Sequence, residues 1–322
     1  MQEEFKSDVE AADALKNKFQ ELTTEIGKVI VGQDETVKLL LTAIFCQGHC
    51  LLVGVPGLAK TLLVQTIASA LNLDFNRIQF TPDLMPSDIV GSETLDKDRN
   101  FKFVKGPVFA NIILADEINR TPPKTQSALL ESMQEYSVTV AGERHNLEKP
   151  FFVLATQNPI EQEGTYPLPE AQLDRFMFMV SLDYPTFEQE MAIVKNTTAD
   201  KKTVVNKVLS AAQILEFQKL VRKVPVADNV VEYAVRLVHK TRPNIANASE
   251  ESKKYLEWGA GPRASQNLIL AAKCNALIKG KYSPDIEDVK DVAFSVLRHR
   301  IVRNFKAEAE GVSIEHIIQS ML

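Results

Sequence analysis

Residues 50–61 are the most informative stretch of the chain: Cys-Leu-Leu-Val-Gly-Val-Pro-Gly-Leu-Ala-Lys-Thr, a short apolar run followed by a loop of small residues and then by a helical pattern. The apolar run, residues 50–53, predicts a buried strand, and a helix is expected from Lys60 onward. Small residues between a strand and a helix let backbone N–H groups surround phosphate oxygens, and the positive end of the helix dipole faces them. The segment therefore predicts a phosphate-binding loop of the pattern G-x-x-x-x-G-K-[ST].

The pattern of the loop predicts which residues would contact the phosphates. They are Gly54, Val55, Pro56, Gly57, Leu58, Ala59, Lys60, Thr61 and Leu62. Lys60 would reach the β- and γ-phosphates, and Thr61 would bind Mg²⁺. Ala59 stands where the pattern has glycine, and because a left-handed alanine costs about 1–2 kcal/mol, we expect Ala59 to have a negative φ in the first helical turn. A strand-to-helix turn that binds nothing is the alternative.

Beyond the loop, short apolar runs alternate with helical patterns. The predicted strands are residues 50–53, 77–80, 111–115, 151–155 and 176–180. Helices are predicted at residues 60–71 and 124–135, after the first and third of these runs. This alternation is typical of an α/β fold with a parallel sheet of five strands that is covered on both faces.

Two polar stretches do not fit this alternation and predict hairpin insertions: residues 83–106 and residues 136–146, the second with Ala141-Gly142-Glu143 as its turn. After Pro185 the strand signals stop, and only helical periodicity continues to Leu322. We therefore predict two domains, an α/β core with an N-terminal helix at residues 1–185 and an all-helical domain at residues 186–322.

Acidic and amide side chains follow two of the predicted strands. Asp116 and Glu117 end the third strand, and Asn158 follows the fourth. Since ligands bind outside the carboxyl ends of parallel strands, these residues should lie beside the phosphate loop. Asp116 would then hold the metal, Glu117 would act as general base toward water, and Asn158 would orient that water or contact the γ-phosphate. The alternatives are an exposed acidic strand end and an asparagine that caps the turn before Pro159.

The composition excludes several classes of protein. With 322 residues, 45% of them hydrophobic, and three cysteines, the chain is globular, longer than one domain of roughly 150 residues, and not a disulfide scaffold. Its net charge of -5 argues against general attraction to nucleic acid. The chain starts without a leader pattern, and its longest apolar tract is broken at residues 47–49, so we expect a cytoplasmic protein without a membrane span.

Two further clusters are weaker candidates for function. Cys46, His49 and Cys50 lie close together but lack a fourth ligand at zinc spacing, so a structural interpretation is favoured over a metal site. The basic run at residues 298–303 suits the end of a helix, with a contact of the helical domain or of a partner as the alternative and nucleic-acid binding as a weaker one.

Six segments resemble, in order and over nearly the whole chain, the MoxR family of AAA+ ATPases. They are residues 31–33 (Val-Gly-Gln), 54–61, 115–120 (Ala-Asp-Glu-Ile-Asn-Arg), 155–159, 167–176 (Pro-Leu-Pro-Glu-Ala-Gln-Leu-Asp-Arg-Phe) and 261–264 (Gly-Pro-Arg-Ala). The fifth segment and the Ala-Lys-Thr end of the phosphate loop are the most particular to this family. Both predicted hairpins also match insertions of the family.

This resemblance implies roles for individual residues. Val31 and Gly32 would lie near the adenine ring of ATP, and Asn158 would be the sensor 1 residue. Arg263 would be sensor 2, reaching the γ-phosphate from the helical domain. Arg175 would be an arginine finger acting on the nucleotide of a neighbouring subunit, with an ion pair to Asp174 or another acid as the alternative. Arg120 is a further candidate interface arginine.

The resemblance also implies an activity: Mg²⁺-dependent ATP hydrolysis that drives chaperone-like remodelling, assembly or activation of other proteins. A homo-oligomeric ring, expected to be a hexamer, would act on protein clients, with a von Willebrand factor A domain protein as an expected partner. The alternatives are a nucleic-acid translocase, against which the net charge argues, and a nucleotide-gated scaffold, which would not need the full set of catalytic residues.

Overall fold

A computed structural model describes residues 7–95, 97, 100–160, 164–200 and 203–322. The expectation that the chain has no leader rests partly on residues 1–6, which lie outside these ranges. The helices are α1 (Asp8–Gly27), α2 (Asp34–Phe45), α3 (Lys60–Ala70), α4 (Pro86–Val90), α5 (Pro123–Glu135), α6 (Glu170–Leu173), α7 (Phe187–Thr197), α8 (Ala211–Lys223), α9 (Asp228–Lys240), α10 (Glu250–Tyr255), α11 (Pro262–Ile278), α12 (Ile286–Leu297), α13 (Phe305–Ala309) and α14 (Ile314–Gln319). The strands are β1 (Cys50–Val53), β2 (Phe75–Gln79), β3 (Gly91–Leu95), β4 (Phe101–Lys105), β5 (Ile112–Asp116), β6 (Ser137–Val140), β7 (Glu143–Asn146), β8 (Phe152–Gln157), β9 (Phe178–Ser181), β10 (Leu256–Trp258) and β11 (Val302–Arg303).

The central sheet contains five strands in the order β2-β5-β8-β1-β9, which confirms the predicted fold class. The pairs β2–β5, β5–β8 and β8–β1 are parallel. Residues 112–115 of β5 and 153–155 of β8 have no exposed surface. Their sequences are uninterrupted apolar runs because helices cover both faces of a parallel sheet.

Both predicted insertions form antiparallel hairpins. In the first, α4 leads into β3, which pairs with β4; residues 96, 98 and 99 of this insertion lie outside the described ranges. In the second, β6 pairs with β7 through a turn of two residues, Ala141 and Gly142, at φ 50° and 87°. The predicted turn is one residue too long, because Glu143 already pairs with Val140. Two positive φ angles match the right-handed twist of the strands.

The chain divides into two compact units that are not continuous in sequence. The first contains most of the sheet and is made of Lys18–Leu168 and Val180–Leu215. The second is made of the chain up to Asn17, Pro169–Met179 and Glu216–Leu322. The domain boundary near Pro185 stays a prediction.

The second unit is mainly helical, as predicted, but also contains a short antiparallel ribbon of β10 and β11 that the sequence patterns do not predict. Its core is formed by one apolar face of each of α9, α11 and α12, including Leu237, Leu268 and Val292. In the part of the chain that the structure describes, no helix is long and apolar enough to cross a membrane.

His49 is a buried structural residue at the start of β1. The backbone N–H of Val153 donates to its Nδ1 at 3.0 Å, so the proton is on Nε2, which donates to the carbonyl of Met133 at 3.1 Å. Burial lowers the pKa of His49 to about 4. The described residues contain no group of three or more metal-binding side chains, and Cys46 and Cys50 lie buried as thiols. These contacts agree with the structural interpretation of the cluster.

Candidate active site

The phosphate loop connects β1 to α3 and includes two residues in the left-handed region. Gly57 has φ +88°, which glycine adopts without steric cost. Ala59, the residue before α3, has φ 54° and ψ 29°. The prediction that Ala59 has a negative φ is therefore wrong. The loop turns left-handed at the position where the pattern has glycine, and the methyl group of Ala59 makes this turn cost about 1–2 kcal/mol.

Contacts within the first unit join the Val-Gly-Gln segment to this loop. The side-chain amide of Gln33 donates to the carbonyl of Leu58 at 3.2 Å. Gly32 has φ +76°, and a Cβ at this position would overlap the side chain of Gln189 on α7. The positive φ is what favours glycine here, because the end of the Gln189 side chain can move away from a Cβ. At the other end of the loop, the amine of Lys60 donates to the carbonyl of Gly54.

One open cleft of about 430 Å³ brings the loop together with the predicted catalytic side chains. Its lining residues are Pro56, Gly57, Leu58, Ala59, Lys60, Thr61, Leu62, Asp116, Glu117 and Asn158. They meet because β1, β5 and β8 are parallel and all end at this edge, with Ala115 level with Ala155. The structure thus juxtaposes the three strand-end residues with the loop, as the sequence predicts.

Asp116 is held from two sides at the end of β5. Its Oδ2 accepts from Nη2 and Nε of Arg77 at 2.6 and 3.0 Å, and its Oδ1 accepts from the hydroxyl of Thr156 at 2.6 Å. These contacts fix the orientation of the carboxylate, which lines the same cleft as Thr61. Neither Arg77 nor Thr156 is predicted as a site residue by the sequence patterns.

Glu117 follows Asp116 with a left-handed backbone, φ 58°. Its N–H donates to the hydroxyl of Thr156 at 2.8 Å. Its carboxylate Oε2 accepts from the amide of Gln79 at 2.8 Å and from Arg120 at 3.1 Å. A left-handed backbone at a residue other than glycine costs free energy, so the surrounding bonds must maintain it, and such residues are concentrated at functional sites.

The positions of Arg77 and Gln79 in the sequence do not by themselves predict that these residues contact the strand-end acids. Residues two apart on a strand point to the same face, so both side chains lie on one face of β2. Their relation to Asp116 and Glu117 follows from the pairing of Gln79 with Asp116 in adjacent strands. The order of strands in the sheet is not readable from local sequence patterns.

Asn158 makes the bond that its alternative interpretation predicts. Its Oδ1 accepts from the N–H of Ile160 at 3.2 Å, which caps the turn around Pro159. The side chain is buried and also lines the cleft. Because the turn uses the carboxamide oxygen, it is compatible with the NH₂ group donating to a phosphate or a water.

The donor set fits a nucleotide and Mg²⁺. The hydroxyl of Thr61 and the carboxylate of Asp116 are oxygen ligands of the type that Mg²⁺ prefers, and they line the same cleft. The loop before α3 supplies backbone N–H groups and the ammonium of Lys60 for phosphate oxygens. These residues would hold the metal and the triphosphate.

Arg175 and Arg263 belong to the second compact unit. Arg263, at the start of α11, pairs through Nη1 with Oδ2 of Asp174 at 3.3 Å. The other carboxylate oxygen of Asp174 accepts from Nε of Arg300 at 2.7 Å. Arg300 is buried, and its Nη1 donates to the carbonyl of Val296 in the last turn of α12, which agrees with the helix-end interpretation of the basic run and not with a partner contact through this residue. The roles of Arg175 and Arg263 toward a nucleotide stay predictions.

Two protein-family models match this chain. A family model described as "ATPase family associated with various cellular activities (AAA)" matches residues 49–178, and an "AAA lid domain" model matches residues 248–321. A crystal structure of a candidate ATPase from Cytophaga hutchinsonii is 46% identical, with a TM-score of 0.91, covering 97% of this chain and 95% of that chain.

Two relatives are similar over most of their length. The chain is 44% identical over 299 residues to Chaperone MoxR1 of Mycobacterium tuberculosis, which covers 92% of this chain and 79% of that protein. It is 28% identical over 301 residues to Protein MoxR of Paracoccus denitrificans, with 88% of each chain covered.

Proposed function

Because this chain belongs to the MoxR family of AAA+ ATPases, we propose that it hydrolyses ATP with Mg²⁺ and uses the reaction to remodel, assemble or activate partner proteins. The observation that supports this proposal best is the single cleft in which Lys60, Thr61, Asp116, Glu117 and Asn158 meet. A strand-to-helix turn without a ligand would have no need for two acids and an amide at the same edge.

In the proposed mechanism, Lys60 and the loop amides hold the triphosphate. Mg²⁺ bound by Thr61 and Asp116 would neutralise charge on the phosphates. Glu117 takes the proton of the attacking water, and we assign this role to its Oε1 because Gln79 and Arg120 both contact Oε2. Asn158 orients that water or donates to the γ-phosphate.

We assign the remaining charge stabilisation to two arginines. Arg263 acts on the γ-phosphate as sensor 2, and Arg175 acts as an arginine finger on the nucleotide of a neighbouring subunit. An arginine that neutralises charge on the transferred group is worth several powers of ten in rate. The protein would therefore work as a homo-oligomeric ring, in which each site is completed by the next subunit.

The clients would be proteins. Chaperone MoxR1 carries this function in its name, and the net charge of -5 does not favour a polyanionic substrate. We propose that one partner is a protein with a von Willebrand factor A domain. We also propose that the protein is located in the cytoplasm. The three buried thiols are compatible with a reducing compartment.

Hydrolysis is tested with Glu117→Gln, which keeps the shape of the side chain and removes its basicity. Phosphate release should fall by about 10²–10⁴-fold, while ATP affinity, measured with a fluorescent analogue, should change little. Glu131→Gln, an exposed position on α5, is the matched control and should retain full turnover. Wild-type turnover in Glu117→Gln would remove Glu117 from the base role.

Client binding is tested with the same variant as bait in the presence of ATP. Proteins retained by Glu117→Gln and released from Lys60→Ala, which lacks the phosphate contact, depend on the ATP state and are the expected clients. Equal retention by both baits would contradict nucleotide-driven remodelling. The absence of von Willebrand factor A domain proteins from the captured set would contradict that partner.

A further inference from the structure

The guanidinium of Arg300, just after α12, is buried and bonded through all five of its N–H groups. One per cent of its side chain is exposed. Nε donates to Oδ1 of Asp174 at 2.7 Å, and Nη2 donates to the carbonyls of Asp174 and Phe176 at 3.1 and 2.6 Å. Nη1 donates to the carbonyl of Met177 at 3.2 Å and to that of Val296. Five donors in one plane are a property of arginine alone.

These bonds converge on the segment that contains Arg175. Arg300 contacts the carbonyls on both sides of that residue, those of Asp174 and Phe176. His299 adds a second bond to the carbonyl of Phe176, at 3.0 Å from its Nε2. The backbone of Arg175 is therefore clamped by a residue more than a hundred positions later in the chain.

Charge supports a specific role for this clamp. Burial lowers the pKa of Arg300 to about 10, which leaves the group charged at neutral pH. A buried ion pair is often no more stabilising than well-packed apolar residues of the same volume. Apolar residues in place of Arg300 and Asp174 could fill the same volume, but they would not hold the backbone carbonyls that the five N–H groups of Arg300 contact.

We propose that Arg300 is a positioning residue for the arginine finger, holding Arg175 in place through the backbone of Asp174, Phe176 and Met177. The proposal rests on the proposed role of Arg175. Asp174 contributes by accepting from Arg300 with one oxygen and from Arg263 with the other. Of the two arginines that we assign to catalysis, Arg263 bonds to the carboxylate of Asp174, and Arg175 is the next residue after Asp174 in the sequence.

The first test is Arg300→Lys. A lysine keeps the charge but offers three donors from a single point, so it cannot hold the carbonyls on both sides of Arg175. A displacement of about 1 Å in a catalytic group reduces turnover by about 100-fold. We expect kcat to fall by about 10- to 100-fold, with little change in the affinity for ATP or in its KM.

Mixing experiments distinguish positioning of the finger from a general defect. Arg300→Lys subunits retain Glu117 but offer a displaced finger, whereas Glu117→Gln subunits lack the base but offer an intact finger. If the finger acts on the neighbouring subunit, turnover of the mixture should exceed the sum of the two proteins assayed alone. A loss that acted through Arg263 at the subunit's own nucleotide would not be restored in this way.

Two controls separate the possible failures. The same mixture made with Arg175→Ala tests the finger itself: if it shows no restoration, the proposed role of Arg175 is wrong and the inference falls with it. If the Arg175→Ala mixture is restored and the Arg300→Lys mixture is not, or if Arg300→Lys has wild-type turnover, only the role of Arg300 is wrong. Asp288→Asn, which disrupts a buried carboxylate paired with Lys279 and Lys281, controls for lost stability and should retain turnover.

If Arg300→Lys does not fold, Asp174→Asn tests the positioning role of Arg300 instead. This variant removes the charge partner but keeps the bonds from Arg300 to the carbonyls of Phe176, Met177 and Val296. We expect a smaller loss of turnover that is again restored by Glu117→Gln subunits. Unchanged turnover, or a loss without restoration, would overturn the inference.

Discussion

Ala59 adopts a left-handed backbone at the residue before α3, where the phosphate-loop pattern has glycine. The conformation belongs to the loop and not to the residue, since the chain must turn at this point to direct its N–H groups into the cleft. Alanine makes the same turn at a steric cost that glycine does not have.

Ala59→Gly should therefore stabilise the protein by about 1 kcal/mol. The thermal midpoint of the nucleotide-free protein should rise by about 2–4 °C. Ala192→Gly inside α7 is the matched control with the opposite sign, because glycine in a helix interior destabilises by about 1 kcal/mol. An unchanged or lower midpoint for Ala59→Gly would show that the loop relaxes around alanine without strain.

The residues that orient the two carboxylates were not predicted, although the carboxylates themselves were. Asp116 and Glu117 are recognisable because they end an apolar run. Arg77 and Gln79 become relevant only when β2 is known to lie beside β5. At the scale of single residues, sequence patterns predicted the candidate catalytic groups but not the groups that hold them.

At the scale of elements, His49 joins three parts of the α/β core. It lies at the entry to β1 and bonds to the end of α5 through Met133 and to β8 through Val153. Both ring nitrogens are used only when the ring is neutral, since protonation would turn Nδ1 from an acceptor into a donor. The bonds of His49 to Met133 and Val153 therefore depend on pH.

Stability should consequently fall as the pH is lowered from 6.5 toward 4. The pKa of His49 is about 4 in the folded protein and 6.5 ordinarily, so within this window the unfolded chain binds a proton that the folded chain does not. The free energy of unfolding is at its full value above pH 6.5, and His49 removes up to about 3 kcal/mol of it by pH 4. Chemical denaturation at several pH values measures the slope.

His49→Asn serves as the comparison, since its side chain does not titrate. Its stability should decline less steeply over the same window, although it starts lower because one buried contact is lost. His299, whose pKa is also lowered by burial, contributes to the slope that persists. Identical slopes in both proteins would show that His49 does not carry the pH dependence.

At the scale of the whole molecule, the proposed active site is complete only in an assembly. Turnover per subunit should rise with protein concentration and reach a plateau once the ring has formed. Light scattering measured in parallel should show the same concentration dependence. Full turnover in samples that remain monomeric would contradict a finger that acts between subunits.

The overall charge leads to a second prediction at this scale. Since the net charge is -5, single- or double-stranded DNA should not stimulate ATP hydrolysis at low salt. A stimulation that is lost as salt increases would instead favour a nucleic-acid motor. Arg144→Ala in the second hairpin would then identify whether that hairpin makes the contact.

Local sequence patterns are enough to predict the phosphate loop, the five strands of the sheet, both hairpins and the acidic and amide residues at the strand ends, although β2 is only partly buried. These features arise from periodicity and turn chemistry within a few residues, so they can be read locally. The left-handed Ala59 was missed because the loop geometry, and not the preference of alanine, sets its conformation.

Which side chains come into contact depends on the tertiary structure. It paired Arg77 with Asp116, 39 residues away, and Arg300 with Asp174, 126 residues away. It also divided the chain into two compact units, each built from segments that are separated in sequence. The physical reason is that strand order and long-range packing result from burial of the whole core, whereas sequence patterns record only what each segment prefers within its own neighbourhood.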